Sequence, residues 1–350
     1  MKFFRKLFVM LLIICLAGSL LSGCGNEQPE QAEPEAPEKP DLAEEVEPEK
    51  PFKVAALMPG PINDGGFNAS CYEGIKLAEQ ELGAEIAYQE NVPQSDFEES
   101  FRGYASQGFD VIIGHGFQFG DAAKKVALEF PDTMFMVSDS TEFQEPNMCS
   151  YTALVTESGF LGGVVAAAYS KSGKVAMIGG LSIPPVTEAV EGFNKGVKYV
   201  NPNVEALSAI TGSFEDVAKA KEMAKVFIEQ GADIVMHQAD QAGLGVIEAA
   251  AEAKVLAIGI IKDQQDLDPS TVLVSALNAK SKGIGYMLEK IKNGDVKAQF
   301  YPLGIKHGVT GLIWNEALKK DKITPEMDKI INDVLADLEA GKIDLASLPE

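Results

Sequence analysis

Basic charge is scarce in this chain: 30 Lys and Arg stand against 52 Asp and Glu, a formal net charge of -22. A surface of that sign excludes nucleic acid as a partner and excludes adhesion to anionic lipid, since both need basic patches. Cysteine and histidine are also few, four and three, with no Cys-x-x-Cys or Cys/His spacing of a zinc site. A P-loop, a nucleophile elbow and a His/carboxylate constellation are missing as well, so neither an enzyme nor a bound metal or cofactor is expected. Gly243-Leu244-Gly245 is only a weak phosphate-loop lookalike, without the full glycine pattern or an acidic residue about 20 positions on.

What is present begins with an address. Lys2, Arg5 and Lys6 precede an apolar run from Leu7 to Leu20 that is short for a membrane span, so residues 1–24 read as a signal peptide. Leu21-Ser22-Gly23-Cys24 resembles the lipobox of bacterial lipoproteins, which implies lipidation of Cys24 and a place on the extracytoplasmic face of the cell membrane. An ordinary signal with an accidental cysteine is the alternative. Residues 25–50 are rich in Glu and Pro and poor in large apolar side chains, the composition of an acidic disordered tether. With Cys15 in the signal and Cys24 at the lipid site, Cys71 and Cys149 remain, either paired or buried as separate thiols.

From residue 52 short apolar runs alternate with helix-length amphipathic segments. The runs fall at 52–58, 84–88, 110–114, 134–138, 174–179, 232–237, 255–260 and 271–276. Such alternation predicts parallel sheets flanked by helices, and some 300 residues call for two lobes with a cleft between them. A last segment, ITPEMDKIINDVLADLEAGKI, reads as an amphipathic helix on a lobe exterior.

The motifs then fall into a recognisable order: Asp64-x-Gly66-Phe67-Asn68, Gly114-His115-Gly116-Phe117, Ser138-Asp139, Gly159-x-x-Gly162-Gly163, Gly192-Phe193-x-x-Gly196, Thr211-Gly212-Ser213-Phe214 and Ile258-Gly259 before Asp263. Together they resemble the basic membrane protein family, substrate-binding lipoproteins of ABC transporters related to purine nucleoside binders. The resemblance implies an α/β type I periplasmic-binding-protein fold, two doubly wound lobes joined by a three-segment hinge. It implies an N-terminal lobe of residues 51–153 plus about 277–305, and a C-terminal lobe of 154–276 plus about 306–350. It further implies a monomer that captures a small molecule, a purine nucleoside or base, for an ABC permease and its ATPase. A surface sensor, or a sugar or autoinducer binder of the same fold, is the alternative.

By the same resemblance Phe67 stacks on the base and Phe214 supplies the second ring from the other lobe. Asp64 and Asn68 stand ready to give selectivity, although Asp64 fits equally a helix cap and Phe67 a packing role. Asp139 and Asp263 lie at carboxyl ends of expected strands, where ligands of open α/β sheets collect, and each suits either a ligand donor or a turn. His115, with Phe117 beside it, suits either a base edge or a loop carbonyl. Two departures stand out: Asp240 in place of a glycine and Asn278 in place of a lysine, which together make the cleft more negative, disfavour phosphorylated ligands and favour a free base.

Overall fold

The computed structural model describes residues 50–64 and 66–349; the expected signal peptide, Cys24 and nearly all of the tether lie outside them. Along the chain the strands are β1 (Lys53–Leu57), β2 (Glu85–Gln89), β3 (Val111–Gly114), β4 (Met134–Ser138), β5 (Met148–Ala153), β6 (Lys174–Gly179), β7 (Glu205–Ile210), β8 (Ile234–Gln238), β9 (Leu256–Ile261), β10 (Val272–Asn278), β11 (Phe300–Leu303) and β12 (Thr310–Trp314). The helices are α1 (Phe67–Leu82), α2 (Phe97–Ser106), α3 (Gly120–Ala127), α4 (Val155–Tyr169), α5 (Pro184–Val200), α6 (Val217–Glu229), α7 (Gly243–Ala253), α8 (Lys280–Lys292), α9 (Glu316–Lys322) and α10 (Pro325–Glu339).

Two six-stranded sheets result. One runs β11-β5-β4-β3-β1-β2 and is parallel throughout. The other runs β12-β10-β9-β8-β6-β7 and is parallel except for β12, which pairs antiparallel to β10. Central strands such as β3 and β8 are buried at every position, as expected where helices cover both faces. The chain passes between the sheets three times: from β5 into α4, from β10 into α8, and from β11 to β12.

Four strands escape the apolar-run reading. The core of β5, MCSYTA, hides Ser150 at 0 % exposure, so its burial is not visible as hydrophobicity. β7 is an edge strand without a β-branched residue until Ile210. β11 carries Pro302, tolerated because the strand lies at a sheet edge, and β12 is the antiparallel edge of the other sheet.

The glycines of the α4 and α5 motifs serve packing. A Cβ at Gly163 would lie 2.1 Å from the carbonyl oxygen of Phe193, and one at Gly196 would lie 2.1 Å from that of Phe160. The two backbones are in direct contact, so only glycine fits. α10 starts at a Thr324 cap that accepts the Met327 amide and buries Ile331, Val334 and Leu338 against the core containing α4. Cys71 and Cys149 are both buried and unpaired in the core of the first lobe. Burial pushes the Cys149 thiol up to about 12 and, aided by Asp139, raises that of Cys71 further.

Candidate ligand site

At the first turn of α1 the polar residues of the opening loop are consumed locally. Asp64 Oδ1 accepts the amides of Gly66 and Ala69, both at 2.9 Å, while Oδ2 accepts the Asn68 amide at 2.8 Å and its side-chain Nδ2 at 2.7 Å. Burial pushes this carboxyl up, but the amides of Ala69, Gly66 and Asn68 outweigh it and hold it below the usual range. Asp64 is therefore a helix cap in this structure, and Asn68 is buried with Oδ1 on the Gly60 amide. The two side chains together shape the loop that presents Phe67, the capping alternative for Asp64 being the one formed here.

Phe67, the first residue of α1, is half-buried with its ring stacked on His115, centroids 3.9 Å apart and planes at 28°. His115 is fully buried, with Nε2 2.9 Å from the Phe67 carbonyl and Nδ1 2.8 Å from the Ser138 hydroxyl. Burial lowers its pKa to about 4, so the ring is neutral at physiological pH. Both ring nitrogens are taken, so of the two readings of His115 the loop carbonyl is the one seen in this structure. Phe117, two residues on, opens the short 3-10 turn after β3 and is 70 % exposed.

Asp139 follows β4 in the left-handed region, φ 50°, and its Oδ1 lies 2.6 Å from Lys280 Nζ while Oδ2 is buried without a partner. Lys280 opens α8, and its ammonium also lies 5.5 Å from the centre of the Phe67 ring. Sequence reasoning missed this residue. Asn278 stands where a cation is expected, but the chain turns at Ala279 and presents Lys280 two residues later. The cleft has not lost its positive charge.

On the facing lobe Phe214 packs over Gly180: a Cβ there would lie 2.3 Å from Phe214 Cδ1. Phe214 is half-buried, and among the described residues no aromatic ring stacks on it. Asp240, at φ 43°, reaches across to the first lobe, its Oδ1 3.8 Å from where a Cβ on Gly66 would be. Burial by the cleft walls raises its pKa, Lys280 opposes that, and Asp64 adds to it. Asp263 sits after β9, where Oδ1 accepts the Gln265 amide at 3.1 Å. Asn278 ends β10 at 1 % exposure with Oδ1 unpartnered.

A cavity of about 170 Å³ lies between the lobes, lined by Gly66 just before α1, Ser70 of α1, and Asp263, Leu277, Asn278 and Lys280. Of the expected site residues Asp263 and Asn278 line it, whereas Asp64, Phe67, Asn68, His115, Phe117, Asp139, Phe214 and Asp240 do not. The site thus joins the amino end of α1 to the carboxyl ends of β9 and β10, the position at which open α/β sheets hold ligands. The phosphate-loop lookalike has a packing explanation: a Cβ at Gly243 would lie 2.0 Å from His237 Nδ1. Among the described residues, no group of three or more His, Cys, Asp or Glu side chains is placed to hold a metal. Nor is any helix there long and apolar enough to cross a membrane.

Comparison with known proteins agrees with the two-lobed α/β fold. Residues 52–340 match the Bmp family, described as ABC transporter substrate-binding protein PnrA-like. Basic membrane protein A2 of Borrelia garinii subsp. bavariensis is 29 % identical over 294 residues, covering 81 % of this chain and 86 % of that one. The ABC transporter nucleoside-binding protein BmpA of Lactococcus lactis subsp. cremoris is 29 % identical over 308 residues, 82 % of this chain and 86 % of its own length. An ABC transporter solute-binding protein from Conexibacter woesei superposes with a TM-score of 0.72 at 27 % identity, covering 85 % of this chain and 98 % of the other. The chain belongs to the Bmp family of ABC transporter substrate-binding proteins, extracytoplasmic solute binders that serve a permease and its ATPase and are not enzymes.

Proposed function

We propose that this protein captures a purine nucleoside or nucleobase in the interlobe cleft and delivers it to an ABC permease, held to the membrane by a lipid on Cys24. The observation that carries the reading is the placement of two half-buried rings, Phe67 and Phe214, on opposite lobes, each backed by its own lobe. A flat heterocycle between them gains roughly 1 to 3 kcal/mol of stacking per ring, and it gains both only when the lobes come together. Ligand binding and closure are then one event. The three chain crossings are the hinge in this account.

Polar selection falls to the groups around the rings. Asp139 is engaged by Lys280 and Asp263 by Gln265, so Asp240 is the carboxylate open to donors on a base or to a ribose diol, with Asn278 offering an unpartnered Oδ1. The name of the Lactococcus lactis relative supports a nucleoside as the class of ligand.

A thermal-shift panel of nucleosides, free bases and sugars on the chain from residue 25 onward tests the reading, because a ligand that binds only the folded state raises the melting temperature. Adenosine, guanosine, inosine or adenine should raise it. No response to any of them, with a clear rise for a sugar, would overturn the purine assignment and leave the family standing.

A further inference from the structure

We infer that His115 is a positioning residue for the Phe67 ring, reaching a bound heterocycle through that ring and not by contact of its own. The inference rests on the purine reading above, and the geometry that carries it is a closed circuit of hydrogen bonds. A carbonyl can only accept, so the proton on His115 sits on Nε2 and is donated to Phe67 at 2.9 Å. Nδ1 is then the acceptor and takes the Ser138 hydroxyl proton at 2.8 Å. The Ser138 oxygen in turn accepts the Gly116 amide at 3.0 Å. No member of the circuit has a choice of role left.

The circuit ties together the end of β3, the end of β4 and the first residue of α1. Hydrogen bonds alone fix the Phe67 backbone. The imidazole does more: it lies nearly parallel under the phenyl ring at 3.9 Å and removes one of its two faces from solvent. A phenylalanine at a helix start with a free ring samples several rotamers, and a ligand would have to order it on binding. Held against His115, the ring has its orientation set beforehand, and the ordering cost falls on folding instead of on binding. A neutral imidazole suits this task, and burial keeps it neutral. A role in structure alone explains the two hydrogen bonds but not the placement of the ring beneath an aromatic at the cleft.

A double-mutant cycle in ligand affinity tests the inference, by isothermal titration with adenosine and inosine as probes. The proteins are wild type, Phe67→Leu, His115→Leu and the double variant. His115→Leu should weaken binding by about tenfold when Phe67 is present and by less than about twofold when it is Leu, because the histidine then has no ring to hold. His115→Gln, which keeps an N–H for the Phe67 carbonyl but loses the ring, should fall between. Equal losses in both backgrounds, or wild-type affinity in His115→Leu, would overturn the assignment. Where His115→Leu does not fold, Ser138→Ala takes its place: about a threefold loss is expected, absent in the Phe67→Leu background, and the same loss in both contradicts the inference. If the wild type binds neither probe nor any free purine base, the purine reading itself fails and the inference falls with it.

Discussion

Lys280 Nζ lies 2.6 Å from Asp139 Oδ1, and the two side chains are only 12 % and 15 % exposed. The pair crosses from the start of α8 to the end of β4, so it locks one of the three crossings to the first lobe's sheet. The other oxygen of Asp139 has no partner among the described residues, which makes the ion pair its principal compensation. Lys280→Met should therefore destabilise the protein by roughly 3 kcal/mol, the cost of leaving a buried carboxylate unpaired. Urea unfolding at neutral pH measures it. Lys280→Met/Asp139→Leu should recover much of the loss, and an unchanged midpoint in the single variant would show that the pair carries no stability.

Acid should weaken the fold in a defined window. His115 and His237 are both fully buried, and burial lowers each to about 4 from an ordinary value near 6.5. Between those values the unfolded chain binds more protons than the folded one, so stability falls as pH drops from about 6.5 to about 4 and is flat above. The limit for each histidine is on the order of 3 kcal/mol. Urea midpoints recorded from pH 8 to 4.5 should show this slope, and His115→Gln and His237→Gln should each flatten it. A wild-type slope in both variants would assign the acid sensitivity to other groups.

Two adjacent side chains at the start of α4 bind the other crossings. Ser158 donates to the Leu277 carbonyl at 2.6 Å, and Glu157 Oε2 accepts the Ile305 amide at 2.8 Å and the Thr310 hydroxyl at 2.5 Å. Glu157→Ala should cost about 2 kcal/mol and Ser158→Ala about 1 kcal/mol. Hydrogen exchange offers the sharper reading: the Ile305 amide should exchange faster in Glu157→Ala, while the amides of β3 stay protected. Unaltered exchange at Ile305 would mean that Glu157 does not hold the crossing.

Gly163→Ala tests the contact between α4 and α5. Its added methyl would meet a backbone carbonyl, which has no rotamer to yield, so the helices must move apart. A loss of about 3 kcal/mol or more is expected, at the upper end of overpacking costs. Gly103→Ala, where a Cβ meets nothing within 4 Å, serves as the control and should be neutral or slightly stabilising. Equal stability of the two variants would contradict the close approach of the helices.

The fold was legible wherever hydrophobicity and burial coincide. β1, β3, β8 and β9 stand out as apolar runs because helices cover both faces of their sheets. The hidden strands are those in which the two part company: β5 buries Ser150, and β7, β11 and β12 are edges that need only half a hydrophobic pattern. The site divides in the same way. Phe67, Asp139, Phe214 and Asp240 are candidates on position alone, since they lie near strand ends or helix starts. Lys280 was not, since its meaning depends on how the chain turns between β10 and α8. The pairing of His115 with Ser138 joins residues 23 positions apart through two neighbouring strands, and no local pattern announces it. Gly159, Gly163, Gly192 and Gly196 were visible as a pattern, but their cause, two helix backbones in contact, is a property of the folded pair.

In the function proposed, a planar ligand closes the molecule by stacking against rings from both lobes. Isothermal titration of a purine nucleoside or base against wild type, Phe67→Ala and Phe214→Ala is the decisive test. Each variant should keep its fold and lose about tenfold or more in affinity, in keeping with 1 to 3 kcal/mol per stacked ring. Wild-type affinity in either variant would contradict the account.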